Sequence, residues 1–463
     1  MLQTFVNAWK VADIRKKMLF TILIVFIFRI GSAIPVPFTN IASTGVLGDG
    51  TAAFMNAENS FLNYLNMITG DAFNYGSIFA MSITPYINSS IIMQLLAVAI
   101  PALERLQKEG EEGRKKIAAI TRFVTIGLGL LQSTAYYFYL SSQHYLTDVG
   151  NGIGWKIFQA VIIILCFTAG TALIMWLGEQ INDKGIGNGI SIILFAGIVS
   201  RIPSLLSSLY NPDPNLGGYL GRGGAYIPIV IIVGIVLILM IAFIVWMDNA
   251  ERRIPVQYAK RVVGRKMYGG QSTHIPIKVN MSGVMPVIFA SSILSLPPTI
   301  QMFINEETIE KNGFLKGLFA IFGMDHWAYC IIYFVLILAF AYFYASIQYN
   351  PIEMSKNIRD NGGSIPGIRP GEPTSRYIGK ILSRITLLGA LLLSVVALFP
   401  IVYSQVCTLI LHHVPATWGG GETAMFSVSL GGTSIIILVG VALETVKQLE
   451  SQMMMRHYKG FLD

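Results

Sequence analysis

The chain has 463 residues, of which 53% are apolar and 13% charged, with a formal net charge of +8. Soluble domains carry about 25% charged residues, so this composition excludes an ordinary soluble enzyme, a disordered chain and a collagen-like one. Cys166, Cys330 and Cys407 lie far apart and form no metal or redox motif. We expect all three to be buried free thiols.

Ten apolar runs approach the length of a membrane-spanning helix, which needs about 20 residues. They are 18–34, 76–100, 117–140, 156–177, 185–200, 226–247, 282–298, 327–347, 377–402 and 432–449. The first has the charged flank of a signal peptide, but Arg29 interrupts it and Pro35 follows its small residues. We therefore expect a retained span. The sequence predicts an all-α polytopic membrane protein with ten transmembrane helices.

Lys and Arg residues are divided unevenly between alternate connections. The set that includes both termini carries 23 of them and the other set 4. Because cytoplasmic segments are enriched in Lys and Arg, both termini are predicted to be cytoplasmic. Ten spans divide into two five-helix halves, 1–200 and 226–449, joined by an external loop at 201–225 and followed by a cytoplasmic tail at 450–463. An odd number per half requires inverted halves, as in many proteins that pass a substrate through a membrane.

The segment 59–74, on the outer side, is too short to span the membrane. Its apolar residues at helical spacing are Phe61, Leu62, Leu65 and Ile68. Two interpretations fit this pattern, a helix lying on the membrane surface and a short helix folded back into the centre of the protein. Gly70 interrupts the pattern before the second span.

The second and seventh spans contain many polar residues. They include Asn88, Ser90, Gln94 and Ser291, with Asn280 at the cytoplasmic mouth of the seventh span. Polar groups that face lipid are costly, so these helices should face protein or water. Hydrogen bonds between packed helices are one explanation, and a water-filled path or a mobile helix contact is the other.

The sequence offers three function classes. A small-solute transporter usually places an ionisable group at mid-membrane, and an intramembrane enzyme needs paired catalytic groups within its spans. Neither pattern is found in the predicted spans, and no nucleotide-binding or zinc-peptidase motif occurs. A passive channel, with no catalytic residue, metal or cofactor and with energy supplied by a partner, fits better.

Two cytoplasmic connections, 248–281 and 348–376, are long and basic. Their cations include Arg252, Arg253, Lys260, Arg261, Arg265, Lys266 and Arg369. Anionic lipid accounts for the charge but not for the length or for the turns rich in Gly and Pro. Docking of a large partner, such as one presenting an RNA phosphate backbone, is the alternative.

Several motifs resemble those of the SecY family of protein-translocase channels. They are FAMSITPYINSSIIMQ at 79–94, GEQI at 178–181 with GIGNGIS at 185–191, YAKR at 258–261, QSTH at 271–274 with KVNM at 278–281, PGIRPG at 366–371 and GGTS at 431–434. The resemblance covers essentially the whole chain. It implies a central protein-conducting channel that passes unfolded secretory proteins across the bacterial cytoplasmic membrane and releases transmembrane segments sideways into it.

The resemblance also implies roles for particular residues. The pore ring would consist of Ile83, Ile87, Ile190, Leu194, Ile288 and Ile437. The segment 59–74 would be a re-entrant plug, and spans two and seven would form a lateral gate at their polar residues. The basic connections would dock the SecA ATPase or the ribosome, which supply the energy, with Arg369 as a motor-coupling residue. SecE, SecG, signal-sequence-bearing polypeptides and anionic lipid complete the expected partners.

Overall fold

The computed structural model describes residues 2–39, 69–70, 72–73, 75–142, 145–147, 152–203, 227–258, 261–263, 266–268, 272–301, 304, 309, 312–323, 326–411 and 432–459. The helices of the N-terminal half are α1 (Leu2–Lys10), α2 (Ala12–Ala33), α3 (Thr84–Ala99), α4 (Pro101–Lys108), α5 (Glu111–Ser142), α6 (Ile153–Lys184) and α7 (Gly189–Ser200). Those of the C-terminal half are α8 (Ile227–Asn249), α9 (Met285–Leu294), α10 (Leu296–Gln301), α11 (Gly313–Ile321), α12 (Trp327–Gln348), α13 (Pro351–Asp360), α14 (Glu372–Leu411) and α15 (Gly432–Lys459). The strands are β1 (Glu251–Tyr258), β2 (Arg261–Val263), β3 (Lys266–Tyr268), β4 (Ser272–Lys278) and β5 (Gly363–Ser364).

Each of the ten apolar runs contains a helix. Within the described residues, four helical stretches, which contain α5, α6, α12 and most of α14, are long and apolar enough to cross a membrane. The pair α3 and α4 makes a fifth if it is counted as one span, although its axis turns by 106° at the junction. The chain is thus a multi-pass membrane protein. Of the other helices, α2 is interrupted by Arg29 and α7 has only 12 residues.

One large hydrophobic core is shared by the two halves of the chain. It takes buried residues from α2, α3, α6 and α7 of the N-terminal half and from α8, α9, α12, α14 and α15 of the C-terminal half. The halves meet along two edges. At one edge α3 packs against α9 and α5 against α10, and at the other α7 and α1 pack against α15.

The two long basic connections form a common β-sheet. Strand β1 pairs antiparallel with β4, placing Glu251 opposite Lys278, and its far end pairs with β5, placing Gln257 opposite Ser364. The side chains of Ile254 and Val256 point to the buried face of this sheet and pack on α13 and α14. The expectation of an all-α fold is therefore wrong here, because alternating buried and exposed residues in β1 favour a strand.

Candidate functional site

The six aliphatic residues of the expected pore ring lie in one hydrophobic cluster. Ile83, Ile87, Leu194, Ile288 and Ile437 are buried there, and Ile190 packs against them half-buried. They come from α3 and α7 of one half and α9 and α15 of the other. Because none of these six side chains carries a polar atom, the six themselves offer no ligand to an ion or to water.

The first turn of α3 places two of these residues. Ile83 caps the helix, and Pro85 occupies its first turn, where no backbone donor is required. Ser82 precedes the cap with a φ of +48°, which is rare for a residue other than glycine. The chain thus turns sharply into α3 at the ring, and Ile83 and Ile87 share one helix face.

The start of α7 is fixed by two asparagines. Asn188 Oδ1 accepts hydrogen bonds from the backbone N–H groups of Ile190 at 3.1 Å and of Ser191 at 3.5 Å, as an N-cap residue does. Asn182 Oδ1 accepts from the N–H of Gly189 at 2.8 Å. Added to Gly189, a Cβ atom would collide with a backbone carbonyl of α6. The glycine therefore allows α7 to begin in close contact with α6, and this contact positions Ile190.

The first turn of α15 is anchored to α12. The hydroxyl groups of Tyr333 and Thr433 lie 3.0 Å apart in a hydrogen bond, and both residues are buried. This bond fixes the helix one turn before Ile437. The expected ring residues of both halves thus lie near the first turns of helices whose starting points are fixed by hydrogen bonds or close packing.

Helices α3 and α9 contact each other at what is here called the seam, and four of the five expected gate residues lie on these two helices. Asn88 and Ser291 are buried, and Ser291 Oγ donates to the Ile288 carbonyl of its own helix at 2.9 Å. Ser90 Oγ accepts from Gln94 Nε2 at 3.3 Å, within α3. These polar groups bond within their own helices, so the bonds do not join the two sides of the seam.

The packing explanation holds for one polar residue of the second span. Ser89 Oγ donates to the Thr121 carbonyl of α5 at 2.8 Å, a packing bond inside the N-terminal half. By contrast, Asn88 Nδ2 is buried and finds no hydrogen-bond partner in the part of the chain that the structure describes. An unsatisfied buried amide is costly, which suits a contact that must be able to separate.

Asn280 belongs to a polar cluster that the sequence analysis missed. Its Nδ2 donates to Asp248 Oδ1 at 3.5 Å, and Asp248 Oδ2 pairs with Lys447 Nζ at 3.1 Å. The cluster joins the end of α8, the segment before α9 and α15. A second missed pair, Arg122 and Glu179, joins α5 to α6 at 2.7 Å. The sequence shows charged residues at the ends of the apolar runs, and these could have indicated such pairs. Which charges pair depends on how the helices pack.

A small cleft, with a cavity volume of about 30 Å³, lies at the N-terminal end of α3. It is lined by Thr69, Phe73, Ala80, Met81, Thr84, Gln132, Tyr136, Ser295 and Thr299. Tyr136 OH donates to the Phe73 carbonyl at 2.7 Å, and Arg29 Nη1 donates to the Gly70 carbonyl at 2.9 Å. These bonds fix the end of the segment expected to form the plug, 59–74. Phe61, Leu62, Leu65 and Ile68 lie outside the described residues.

The β-sheet and the turn before α14 form a basic platform, which displays Arg252, Arg253 and Arg369 as exposed side chains. Thr374 Oγ1 donates to the Arg369 carbonyl at 2.8 Å, and Gly371 adopts a φ of +107° beside it. The turn is therefore rigid while the Arg369 side chain is free to contact a partner. Lys260 and Arg265 lie outside the described residues, and for Arg261 and Lys266 the structure describes the backbone, in β2 and β3.

Within the described residues, no group of three or more His, Cys, Asp and Glu side chains could hold a metal ion. Cys330 is buried as expected, whereas Cys166 is only half-buried, so the expectation for that thiol is wrong. Cys166 lies on α6, where not every position faces the core. The Cys407 side chain lies outside the described part of the chain.

Comparisons with known proteins identify the family. The SecY family model matches residues 77–446. Relatives named Protein translocase subunit SecY are 42% identical in Streptomyces galbus, 40% in Corynebacterium glutamicum and 39% in Mycobacterium tuberculosis, each alignment covering 100% of both chains.

Two solved structures share the fold. "The structure of a protein conducting channel" aligns with a TM-score of 0.58 at 17% identity, covering 94% of this chain and 92% of that one. "Sec61 in the Canine ribosome-channel complex from the endoplasmic reticulum" aligns with a TM-score of 0.55 at 16% identity and the same coverage. The resemblance seen in the sequence motifs is confirmed, and the chain belongs to the SecY family.

Proposed function

We propose that this chain is the central protein-conducting channel of a Sec translocon in the bacterial cytoplasmic membrane. The observation that carries the proposal is that six aliphatic residues, from helices of both halves, lie in or against the large core that the halves share. In this proposal they form the constriction of the channel. An apolar constriction of this kind resists ions by losing its water rather than by binding them. Flexible aliphatic side chains can also part around any unfolded polypeptide.

The seam is the lateral gate in this proposal. Transmembrane segments and signal sequences leave between α3 and α9 into lipid. The absence of strong bonds across the two helices supports this role, since Ser291 and Ser90 bond within their own helices. The segment 59–74 acts as the plug, held at its end by the bonds to Gly70 and Phe73.

Ten spans in two inverted halves, with both termini in the cytoplasm, complete the proposed topology. The distribution of Lys and Arg supports this orientation, because 23 of these residues lie in the connections assigned to the cytoplasm and 4 in the others. This orientation places the basic platform on the cytoplasmic side of the membrane.

The basic platform docks the motor or the ribosome, which supply the energy. Its exposed arginines suit acidic protein surfaces and RNA phosphates. A solved structure of the same fold is described as a ribosome-channel complex, which supports a ribosome as one partner. SecA, SecE and SecG are the other proposed partners, with anionic lipid beside the platform.

A photo-crosslinking experiment tests the channel proposal. A photoreactive amino acid replaces Ile87, a secretory precursor is stalled during export, and the membranes are irradiated. We expect a covalent adduct only when a precursor is engaged, because the polypeptide must pass the ring. The matched control places the same amino acid at Ile92, which is exposed on the same helix. Normal export without an adduct at position 87 would mean that the path lies elsewhere.

A further inference from the structure

The short helix α11, between α10 and α12, is apolar almost all round. Its sequence is GFLKGLFAI, with Lys316 as the single charge. Nine residues extend about 14 Å in an α-helix, so α11 cannot cross a bilayer core of about 30 Å. A helix that is apolar on every side needs a cover for each face.

One face of α11 is covered by the protein itself. Phe319 is buried and Leu315 is half-buried one turn before it. Phe322, which follows the helix on the same face, packs against the large core. This face holds α11 against α10 and α12.

A neighbouring face, about 100° around the helix from the covered one, is open. Phe314 is 80% exposed and Ile321 is 43% exposed, with the half-buried Leu318 between them. These positions are separated by four and three residues, so they form one stripe along the helix. Contact of this stripe with water would be unfavourable.

The position of α11 in the chain indicates what covers the stripe. Helix α12, which lies in a stretch apolar enough to span a membrane, begins six residues after Ile321. Its first residue, Trp327, is 50% exposed, and Ile331 one turn later is 65% exposed. Tryptophan is enriched where a span meets the membrane surface. The exposed stripe of α11 therefore adjoins the lipid-facing side of α12 at the membrane boundary.

We infer that α11 lies in the membrane interface at the N-terminal end of α12, with Phe314, Leu318 and Ile321 inserted into the lipid. The bilayer is the partner, and the continuity with the exposed side of α12 favours it over a second protein. Lys316 can extend to the lipid headgroups, as lysines near a membrane surface do. In the proposed topology this is the extracytoplasmic leaflet.

This placement has a consequence for the gate, a step that rests on the proposed function. Helix α11 contacts α10, and α10 contacts α5 of the opposite half. A lipid-anchored α11 therefore supports the C-terminal half where the two halves close near the cleft. Movement of the seam must shift α11 within the leaflet or bend the chain between α10 and α11.

Fluorescence quenching in vesicles tests the lipid contact without requiring transport. Single cysteines replace Phe314 and, as a water-facing control, Thr273, which is exposed on β4. Both are introduced into the full chain after Cys166, Cys330 and Cys407 have been changed to serine. Each is labelled with an environment-sensitive dye in phosphatidylcholine and phosphatidylglycerol vesicles. We expect nitroxide lipids to quench position 314 and iodide to quench position 273.

Quenching of position 314 by iodide to the level of position 273 would overturn the inference. Protection from both iodide and nitroxide lipid would overturn it as well, because a protein would then cover the stripe. A second variant, F314E, should reduce lipid quenching of a dye at position 318, whereas F314W should preserve it. Failure of these tests would leave the adduct expected at position 87 unaffected, so the two proposals can fail separately.

Discussion

At the scale of single residues, Ile87 belongs to the proposed ring and lies one turn after Ile83 on the α3 side. Replacement by glycine removes the side chain from the constriction, so we expect the resting ion conductance in planar bilayers to rise severalfold. Glycine in a helix interior also costs about 1 kcal/mol of stability. An Ile92→Gly variant shares that cost, because Ile92 is exposed on the same helix. Equal leak in both variants would count against the ring.

Gly70 is the second residue whose role can be isolated. Its φ is +66°, and a Cβ atom there would lie 2.6 Å from Ser200 Oγ and 2.7 Å from the Gly197 carbonyl oxygen. Gly70→Ala should destabilise the chain by about 3 kcal/mol, from backbone strain and overpacking together. Gly110 has a φ of +81° but open space around it, so Gly110→Ala should cost about 1 kcal/mol. Melting temperatures in detergent compare the variants, and similar losses would refute the packing argument.

The sequence reveals these residues unequally. Spacing alone places Ile83 and Ile87 on one helix face. Gly70 adopts a positive φ, but the helical pattern that it was expected to interrupt lies outside the described residues. That Ile87, Ile288 and Ile437 share one core depends on packing between distant segments and could be expected only from the family resemblance. The left-handed backbone at Ser82 gives no local signal, since serine does not favour that conformation.

At the scale of elements, the turn between β5 and α14 presents Arg369 on a fixed backbone. Arg369→Glu should leave the fold and membrane integration intact, because the side chain is exposed. It should abolish SecA-driven export, since a reversed charge repels an acidic partner surface. Lys356→Glu on α13 is the matched control, as that lysine is also exposed on the same side of the molecule. Export of a precursor into inverted vesicles measures both, and normal export by Arg369→Glu would exclude the coupling role.

Helices could be predicted more readily than strands. Apolar runs of about 20 residues identify their own helices, and each predicted run contains one. Strand β1 is short and carries Arg252, Arg253 and Pro255, so its charges and proline obscure the alternation of Ile254 and Val256. Its partners lie in a distant part of the same connection and in a different connection. No local pattern records that pairing.

At the scale of the whole molecule, the two halves meet along two edges that should respond differently to crosslinking. The resemblance to the SecY family implies a hinge at 201–225, in the connection between α7 and α8, so the edge of α3 and α9 should be the one that opens. A disulfide between facing cysteines on α3 and α9 should therefore block export, and reduction should restore it. A disulfide between α7 and α15, which join the halves at the other edge, should have little effect. Full export by the α3–α9 crosslinked channel would show that the gate lies elsewhere.

The contacts between the halves are the part of the fold that the sequence could not supply. The distribution of charge predicts the orientation of the spans, and the number of spans suggests two halves. Both predictions come from counting features of separate local segments. Which helices touch is a property of packing. The contact of α1 with α15, the first and last helices of the described chain, has no counterpart in any local pattern.

The position of α15 has a consequence for biosynthesis. This helix supplies Ile437 to the ring and packs against α1 and α7 of one half and against α8 and α14 of the other. It is also the last of the described helices to leave the ribosome. A nascent chain therefore reaches the membrane with one wall of its ring absent and with faces of four helices still uncovered. Assembly is completed only near the end of synthesis, so chains shortened before residue 432 should be substrates for membrane proteases rather than leaky channels.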